Sequence, residues 1–334
     1  MNLEPSEEQQ RLVQAAERFL AERLPTSRFR ATSDRSERSE WLELAEIGVF
    51  GLTAPLESGG MGLALADEAL VFRELGRYLV TPSTLATVLG RHLASQLGQD
   101  ELASRMVSGQ CRAALGIEQA NTGTAAPITL LLDAEAAEQI LVVSSKGLSL
   151  STRASMSIRE ELEPLDETMS LQAAEPISEP SGLRHDGNAS LALAVLASAM
   201  LVGTAEAALA GSVEHAKQRQ QFGVPIGSFQ SIKHLCAENA VRTHAAWSQA
   251  LWAALALQEQ AVDAPAHVAA AGLLSEEAAL HAAQDNVQIH GGMGFTAECD
   301  AHRYVKRQHV LSRVLHSCID APGLLLADHS ADER

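Results

Sequence analysis

Hydrophobic positions recur with helical spacing through the first third of the chain. Residues 4–24 carry apolar side chains at the i, i+3, i+4 and i+7 positions of a helix face, namely Leu12, Val13, Ala16, Phe19 and Leu20. The same texture predicts helices near 39–48 and over 68–80, 82–97 and 101–107. Residues 51–67 are interrupted by Pro55 and several glycines, which predicts a loop. Residues 1–111 are therefore predicted to form an amino-terminal helical domain.

The pattern changes between residues 112 and 185. Short apolar and β-branched runs at 128–134, 139–145 and 147–152 are separated by Gly, Asp and Ser, which is typical of strands. Pro164, Pro176 and Pro180 interrupt the remainder. We expect four to six strands here, enough for a small sheet.

Long helical patterns return after residue 186 and predict helices at 190–218, 229–258, 264–289 and 297–315. The apolar run 191–202 is too short and too rich in Ala and Ser to span a bilayer, so we expect a buried helix and no membrane insertion. The predicted fold class is mainly α with a small β domain. It comprises an amino-terminal helical domain (1–111), a reduced middle β-domain (112–185) and a carboxy-terminal four-helix bundle (186–334).

The net charge of the chain limits the kinds of ligand that it can bind. Lys and Arg number 25 against 42 Asp and Glu, a formal net charge of −17, which argues against binding nucleic acid. Aromatic residues make up only 4%, and the abundance of Ala and Leu favours helix. The four cysteines stand far apart, and the first residues lack a basic and apolar signal pattern. We therefore expect reduced thiols and a cytoplasmic location.

The segment 219–230 (RQQFGVPIGSFQ) joins two predicted helices. The forked guanidinium of Arg219, a turn containing Gly and Pro, and Gln230 at the start of the next helix can surround an anion such as a diphosphate. The plainer interpretation is an Arg that complements the helix dipole before an ordinary turn.

The segment 288–298 (QIHGGMGFTAE) places a glycine pair after a helix. Part of it fits G-x-G-x-x-A, but a helix precedes it and not a strand, so we exclude a Rossmann fold. The plainer interpretation is a helix C-cap. The nearby histidines lack an H-E-x-x-H pair, so we predict no metal site; they are His281, His290, His302, His309 and His316.

Together, R-x-x-F-G-x-P-I-x-x-F-Q and Q-I-H-G-G-x-G-F-T resemble the acyl-CoA dehydrogenase family. The resemblance implies bound FAD and a tetramer in which the carboxy-terminal bundle of one subunit reaches the FAD of its neighbour. It assigns Arg219 to the diphosphate, Phe222 to the aromatic position beside it and Gln230 to the adenine half. It further implies that Gln288, Gly291 and Gly292 meet the same cofactor.

The chain departs from the family where a carboxylate base is expected. The two family positions for that base fall on Leu315 and Leu193, and leucine cannot accept a proton. Glu298 and His316 are the remaining weak candidates. The middle section also lacks the family's T-E-P-x-x-G-S segment, although Glu118 echoes its Glu.

The sequence therefore predicts a subunit of an FAD-dependent acyl-CoA dehydrogenase, which desaturates an acyl-CoA thioester. We expect it to supply FAD-binding residues to a related, larger partner subunit that carries the base, with an electron-transfer protein as acceptor. One alternative is a self-sufficient homo-oligomeric dehydrogenase or oxidase with an unusual base. Another is a non-catalytic scaffold subunit of the same fold.

Overall fold

The amino-terminal helices each bury an apolar face in one shared core. A computed structural model describes residues 3–30, 37–119, 128–177, 183–185 and 187–332. The first helix begins with a capping box, in which Ser6 and Gln9 each bond the backbone amide of the other. The helices of this part are α1 (Glu7–Arg23), α2 (Glu37–Glu46), α3 (Leu65–Arg77), α4 (Ser83–Gln96) and α5 (Asp100–Val107).

Seven described strands form one mixed sheet in the order β5-β6-β2-β1-β3-β4-β7. Only β1 and β3 pair in parallel, and the other neighbours are antiparallel. The strands are β1 (Ala113–Glu118), β2 (Thr129–Leu132), β3 (Gln139–Ser144), β4 (Gly147–Thr152), β5 (Met156–Leu162), β6 (Leu171–Pro176) and β7 (Leu183–His185).

The prediction of four to six strands was therefore too low. The missed strands carry little β texture: β1 and β6 are rich in alanine, and β5 reads Met-Ser-Ile-Arg-Glu-Glu-Leu with its charges exposed. Their pairing is set by neighbouring strands and not by intrinsic propensity, which sequence pattern alone does not reveal.

The carboxy-terminal half is a bundle around one central helix, α6. Its helices are α6 (Asn188–Gln218), α7 (Gln230–Gln258), α8 (Ala264–His290), α9 (Ala301–Cys318) and α10 (Ala321–Asp332), of which the last was not predicted. Helix α6 has 31 residues and, among the described helices, is the one long and apolar enough to cross a membrane. The expected buried helix is confirmed, because 83% of the most apolar window of α6 is buried inside the protein, as in a core helix.

Helices α3 and α6 touch backbone to backbone. A Cβ added to Gly76 would overlap the carbonyl oxygen of Met200, and one added to Gly203 would overlap that of Arg73. The hydroxyl of Thr204 also donates to the Gly76 carbonyl at 3.5 Å. The two glycines are therefore required by the close approach of the helices.

Three parts of the fold meet at one buried side chain, Arg307 of α9. Its Nε donates to Asp166 Oδ2 at 2.8 Å, its Nη2 to Thr168 Oγ1 at 2.8 Å and its Nη1 to the Val80 carbonyl at 2.5 Å. We call this set of four residues the Arg307 junction. It ties the bundle to the segment before β6 and to the connection between α3 and α4 in the amino-terminal helices.

The predicted fold class is confirmed: helices, a small sheet and a helical bundle follow one another along the chain. The division at residues 111 and 185 stays a prediction. All four cysteines are free thiols.

Candidate functional site

The structure brings the two sequence motifs together at one end of the bundle. His215, one turn before Arg219, stacks on His290, which directly precedes the glycine pair; the ring centroids are 4.1 Å apart. We call residues 215–230 together with 286–298 the motif end. Two segments that are distant along the chain therefore share one surface.

A two-residue hairpin turn forms the tip of the motif end. Strands β8 (Gln220–Gln221) and β9 (Val224–Pro225) pair across Phe222 and Gly223, whose φ angles are 53° and 79°. Two consecutive positive φ angles are the signature of a type I′ turn, which disfavours a bulky residue at its first position. Phe222 nevertheless occupies it and is 93% exposed. A strained, solvated aromatic of this kind indicates a contact outside the chain's own core.

The backbone of Arg219 is fixed while its side chain remains available. Its amide donates to the His215 carbonyl at 2.8 Å, and its carbonyl accepts from the Ile226 amide at 2.8 Å. The exposed guanidinium has no hydrogen bond or ion pair within the described residues. Gln230, the first residue of α7, is also exposed, and its Nε2 lies 2.9 Å from His234 Nε2.

The glycine pair leaves open space beside the backbone. Gly291 follows α8 with φ of 62°, and a Cβ added to Gly291 or Gly292 would meet nothing within 4 Å. Gly294, by contrast, is buried against the Val287 carbonyl. Gln288 is exposed one turn before the pair. A ligand or a neighbouring subunit can therefore approach this stretch of main chain closely.

We expect Phe222→Asn to stabilise the isolated chain while weakening whatever the motif end binds. Asn tolerates positive φ, so relief of strain should raise the free energy of unfolding by about 0.5–1 kcal/mol. Denaturant melts of the lone chain measure this gain, and flavin content of the purified assembly measures the loss. The Phe222 ring meets Phe229 edge-on, with centroids 6.3 Å apart, and a variant that lost stability would show that this contact outweighs the strain.

A separate cavity of about 620 Å³ lies between the sheet and the far ends of α8 and α9. Glu118 and Ser144–Ser145 line it from the sheet, and Arg313, His316 and residues 317–322 line it from the bundle. Arg313 Nη2 donates to Gln119 Oε1 at 3.2 Å across this boundary. No residue of the motif end lines the cavity.

Both positions that the family resemblance assigns to a base are buried leucines. Leu193 is fully buried in α6, and Leu315 is 1% exposed and packs on Gly272 of α8. Neither supplies a proton acceptor to the cavity.

The two weaker base candidates fall in different places. Glu298 is an exposed residue of the motif end and does not line the cavity. Hydrogen bonds from its own amide and from Thr296 lower its pKa, which makes it a weaker base. His316 does line the cavity, and its Nε2 lies 2.8 Å from Glu276 Oε2. Of the two, His316 alone is placed where it could meet a ligand in the cavity.

A carboxylate placed at the family position Leu315 should destabilise the protein. We expect Leu315→Glu to lower the free energy of unfolding by about 3 kcal/mol or more, because it buries an unpaired carboxylate in a closely packed site. The matched Leu315→Met variant should stay near wild type, since it conserves volume and apolarity. Thermal melts of both variants test this, and a stable Leu315→Glu protein would contradict it.

Several site features have no signal in the sequence. Neither the stack of His215 on His290 nor the Glu276 partner of His316 could be predicted, because each joins distant segments. Arg313 carries no motif. Within the described ranges, no group of three or more His, Cys, Asp or Glu side chains could hold a metal ion.

Comparisons with known proteins agree on one family. Residues 6–113 match the family model for the acyl-CoA dehydrogenase amino-terminal domain, and residues 191–314 match that for the carboxy-terminal domain. The chain is 33% identical over 319 residues to acyl-CoA dehydrogenase IpdE2 of Mycobacterium tuberculosis, with 94% of each chain covered.

Solved structures show the same fold. Butyryl-CoA dehydrogenase from Megasphaera elsdenii superposes with a TM-score of 0.82 at 20% identity, over 100% of both chains. A chain of the ChsE4–ChsE5 complex from Mycobacterium tuberculosis gives a TM-score of 0.78 at 20% identity, over 99% of this chain and 98% of that one.

Proposed function

Because the chain belongs to the acyl-CoA dehydrogenase family, an FAD-dependent class of oxidoreductase, we propose that it is a subunit that completes the FAD site of a related, larger partner chain. In this assignment the partner provides the flavin platform and the carboxylate base. This chain provides the motif end and the bundle surface around it. An electron-transfer protein is the proposed acceptor.

The residues of the motif end fit the diphosphate and adenine half of FAD. FAD bound there would supply the hydride acceptor for desaturation of the acyl-CoA. Arg219 would pair with the diphosphate through its planar fork, and the open main chain at Gly291–Gly292 would allow close approach of the cofactor. Phe222 and Gln230 would lie beside it. The supporting feature is the exposed guanidinium, which has no partner within the described chain.

The motif end and the cavity are separate, and this separation is the main observation that supports a division of labour between two subunits. The residues assigned to the anion lie outside the 620 Å³ cavity, and both family positions for the base are buried leucines that do not line it. A chain built in this way suits a division of labour, in which its cofactor contacts serve a site completed by another subunit. The similarity to a chain of the ChsE4–ChsE5 complex, an assembly of two different chains, supports the same assignment.

Co-purification with flavin counting tests the proposal. The full-length chain expressed alone should carry little FAD. Co-expression with a family member encoded nearby should give a stable complex with stoichiometric FAD and desaturase activity toward an acyl-CoA. A lone chain that holds one FAD per subunit and desaturates acyl-CoA would contradict the division of labour.

A second candidate function rests on His316. The Glu276 carboxylate orients the imidazole at the cavity wall, which is the arrangement of a histidine activated as a general base. In this case the chain would be a self-sufficient dehydrogenase. His316→Gln should then reduce turnover by about 100-fold or more, whereas His309→Gln, an exposed histidine outside the cavity lining, should leave it unchanged. Equal turnover in both variants would exclude this function.

A further inference from the structure

The histidine stack joins the two segments whose residues are assigned to the anion. His215 lies four positions before Arg219 on α6, and His290 is followed at once by Gly291. Both rings are half-buried, and their centroids are 4.1 Å apart. His290 Nδ1 lies 2.8 Å from the Asn286 carbonyl, which can only accept, so Nδ1 carries the hydrogen.

The environment of the stack disfavours positive charge. Burial lowers the pKa of His215 first, and the neighbouring His290 and Arg219 lower it further. The other titratable groups near this end of α6 are Glu214 and Lys217 on the same helix, Lys233 and His234 on α7, and Asp285 on α8. Three of these side chains have hydrogen-bond partners of their own: Gln218 for Glu214, Asn239 for Asp285 and Gln230 for His234. No carboxylate is therefore paired with the stack within the described residues.

We propose that His215, held in its stack on His290, is a proton-coupled part of the anion site, which takes up a proton from solvent when a diphosphate binds. This inference rests on the proposed function, because it concerns the same motif end. The bound dianion supplies the negative charge that the empty site lacks, so it raises the pKa of His215. The proton adds to a ring nitrogen, no other bond forms or breaks, and the imidazolium becomes a second cation beside Arg219.

The sign of the pH dependence follows directly. The pKa of His215 is below the ordinary histidine value of about 6.5 in the free chain and is expected to be higher in the complex. Binding should therefore be tightest at low pH and weaken as pH rises through the pKa of the complex. One coupled proton changes the affinity by at most about tenfold per pH unit.

The experiment uses the full-length chain and ADP-ribose, which carries the adenine and diphosphate half of FAD without the flavin ring. Its diphosphate is a diester whose charge is constant from pH 6 to pH 8. Isothermal titration calorimetry at pH 6, 7 and 8, in buffers of different ionisation enthalpy, gives both the affinity and the number of protons taken up. The variants are His215→Phe, which keeps a stacking ring but cannot be protonated, Arg219→Ala, and His309→Gln as control.

We expect the wild-type chain and His309→Gln to bind at least about fivefold more tightly at pH 6 than at pH 8, with net proton uptake. His215→Phe should abolish the uptake and reduce the pH effect to less than about twofold. Unchanged uptake in His215→Phe would overturn the inference, as would undetectable binding of ADP-ribose at millimolar concentration.

The same data separate the inference from the proposed function. If Arg219→Ala binds as tightly as wild type, the motif end is not the anion site and the proposed function fails with the inference. If Arg219→Ala weakens binding while His215→Phe retains the full pH dependence, only the proton coupling is wrong.

Discussion

Replacing Asp166 with alanine is expected to lower the free energy of unfolding by about 3–5 kcal/mol, because it strands the Arg307 guanidinium in the interior. The two side chains are 2% and 1% exposed. Thr168 also loses a partner, since its hydroxyl donates to Asp166 Oδ1 at 2.6 Å while accepting from Arg307. Chemical denaturation of wild type and variant, monitored by circular dichroism, measures the difference.

Two further variants test whether burial of the Asp166–Arg307 pair is the cause of the expected loss of stability. Asp166→Asn keeps the shape but removes the charge, so it should also be strongly destabilising. Glu138→Ala removes an ion pair to Arg105 that is about half exposed on both sides, and it should leave stability essentially unchanged. If Asp166→Ala and Glu138→Ala were equally mild, the Arg307 junction would not hold the three parts of the fold together.

The contribution of Asp166 should depend on pH in a defined direction. Burial alone would raise its pKa, but the Arg307 charge and the hydrogen bonds from Thr168 outweigh burial and lower it. A lowered pKa in the folded state gives stability that is complete above the unfolded value of about 3.9 and is lost as pH falls below it. The gap between wild type and Asp166→Asn should therefore close in acid and stay constant from pH 5 to pH 8.

Arg219→Ala is expected to weaken FAD binding by the assembled enzyme about 10- to 100-fold, the loss associated with one or two charge-assisted hydrogen bonds. Arg219→Lys should recover only part of this, because an ammonium group cannot bind two oxygens in a planar fork. Stability of the lone chain should not change, since the guanidinium has no partner within the described residues. Equilibrium dialysis of FAD against the co-purified complex provides the measurement.

Lys217→Ala serves as the matched control for Arg219→Ala. It removes an exposed cation two positions earlier on α6, which places it on a different face of the helix. Its FAD affinity should stay within about twofold of wild type after allowing for a weak long-range charge effect. Equal losses in both variants would show that general positive charge, and not the Arg219 fork, attracts the cofactor.

The helices were predictable from sequence because their signal is periodic and local. The apolar stripe of α1 and the long patterns of α6 to α9 follow from burial of one face or of the whole helix. Strand β5 was not predictable, because its exposed charged residues give it no apolar alternation and its position in the sheet is fixed only by pairing with β6. Helix α9 begins at residue 301 and not at 297, because a 3₁₀ turn (Gly291–Phe295) and a further turn come first.

For the site, sequence identified the residues but not their arrangement. Arg219, Phe222 and the glycine pair stand in recognisable motifs, so their chemistry can be inferred from residue type and spacing. Their assignment to FAD stays a prediction. The positive φ of Phe222 and the stacking of His215 on His290 depend on chain geometry that no local pattern encodes. The sequence offered His316 as a candidate base without a partner residue. Its partner Glu276 is brought to it only by the packing of α8 against α9.

The glycine contact between α3 and α6 bears on how the protein is made. Thr204 and Gly76 are 128 residues apart, so α3 leaves the ribosome long before the helix on which its backbone must lie. At about 5–20 residues per second the wait lasts several seconds or more. During that interval α3 can already pack against α1, but the face of α3 that lies on α6 has no native partner and stays exposed in the nascent chain.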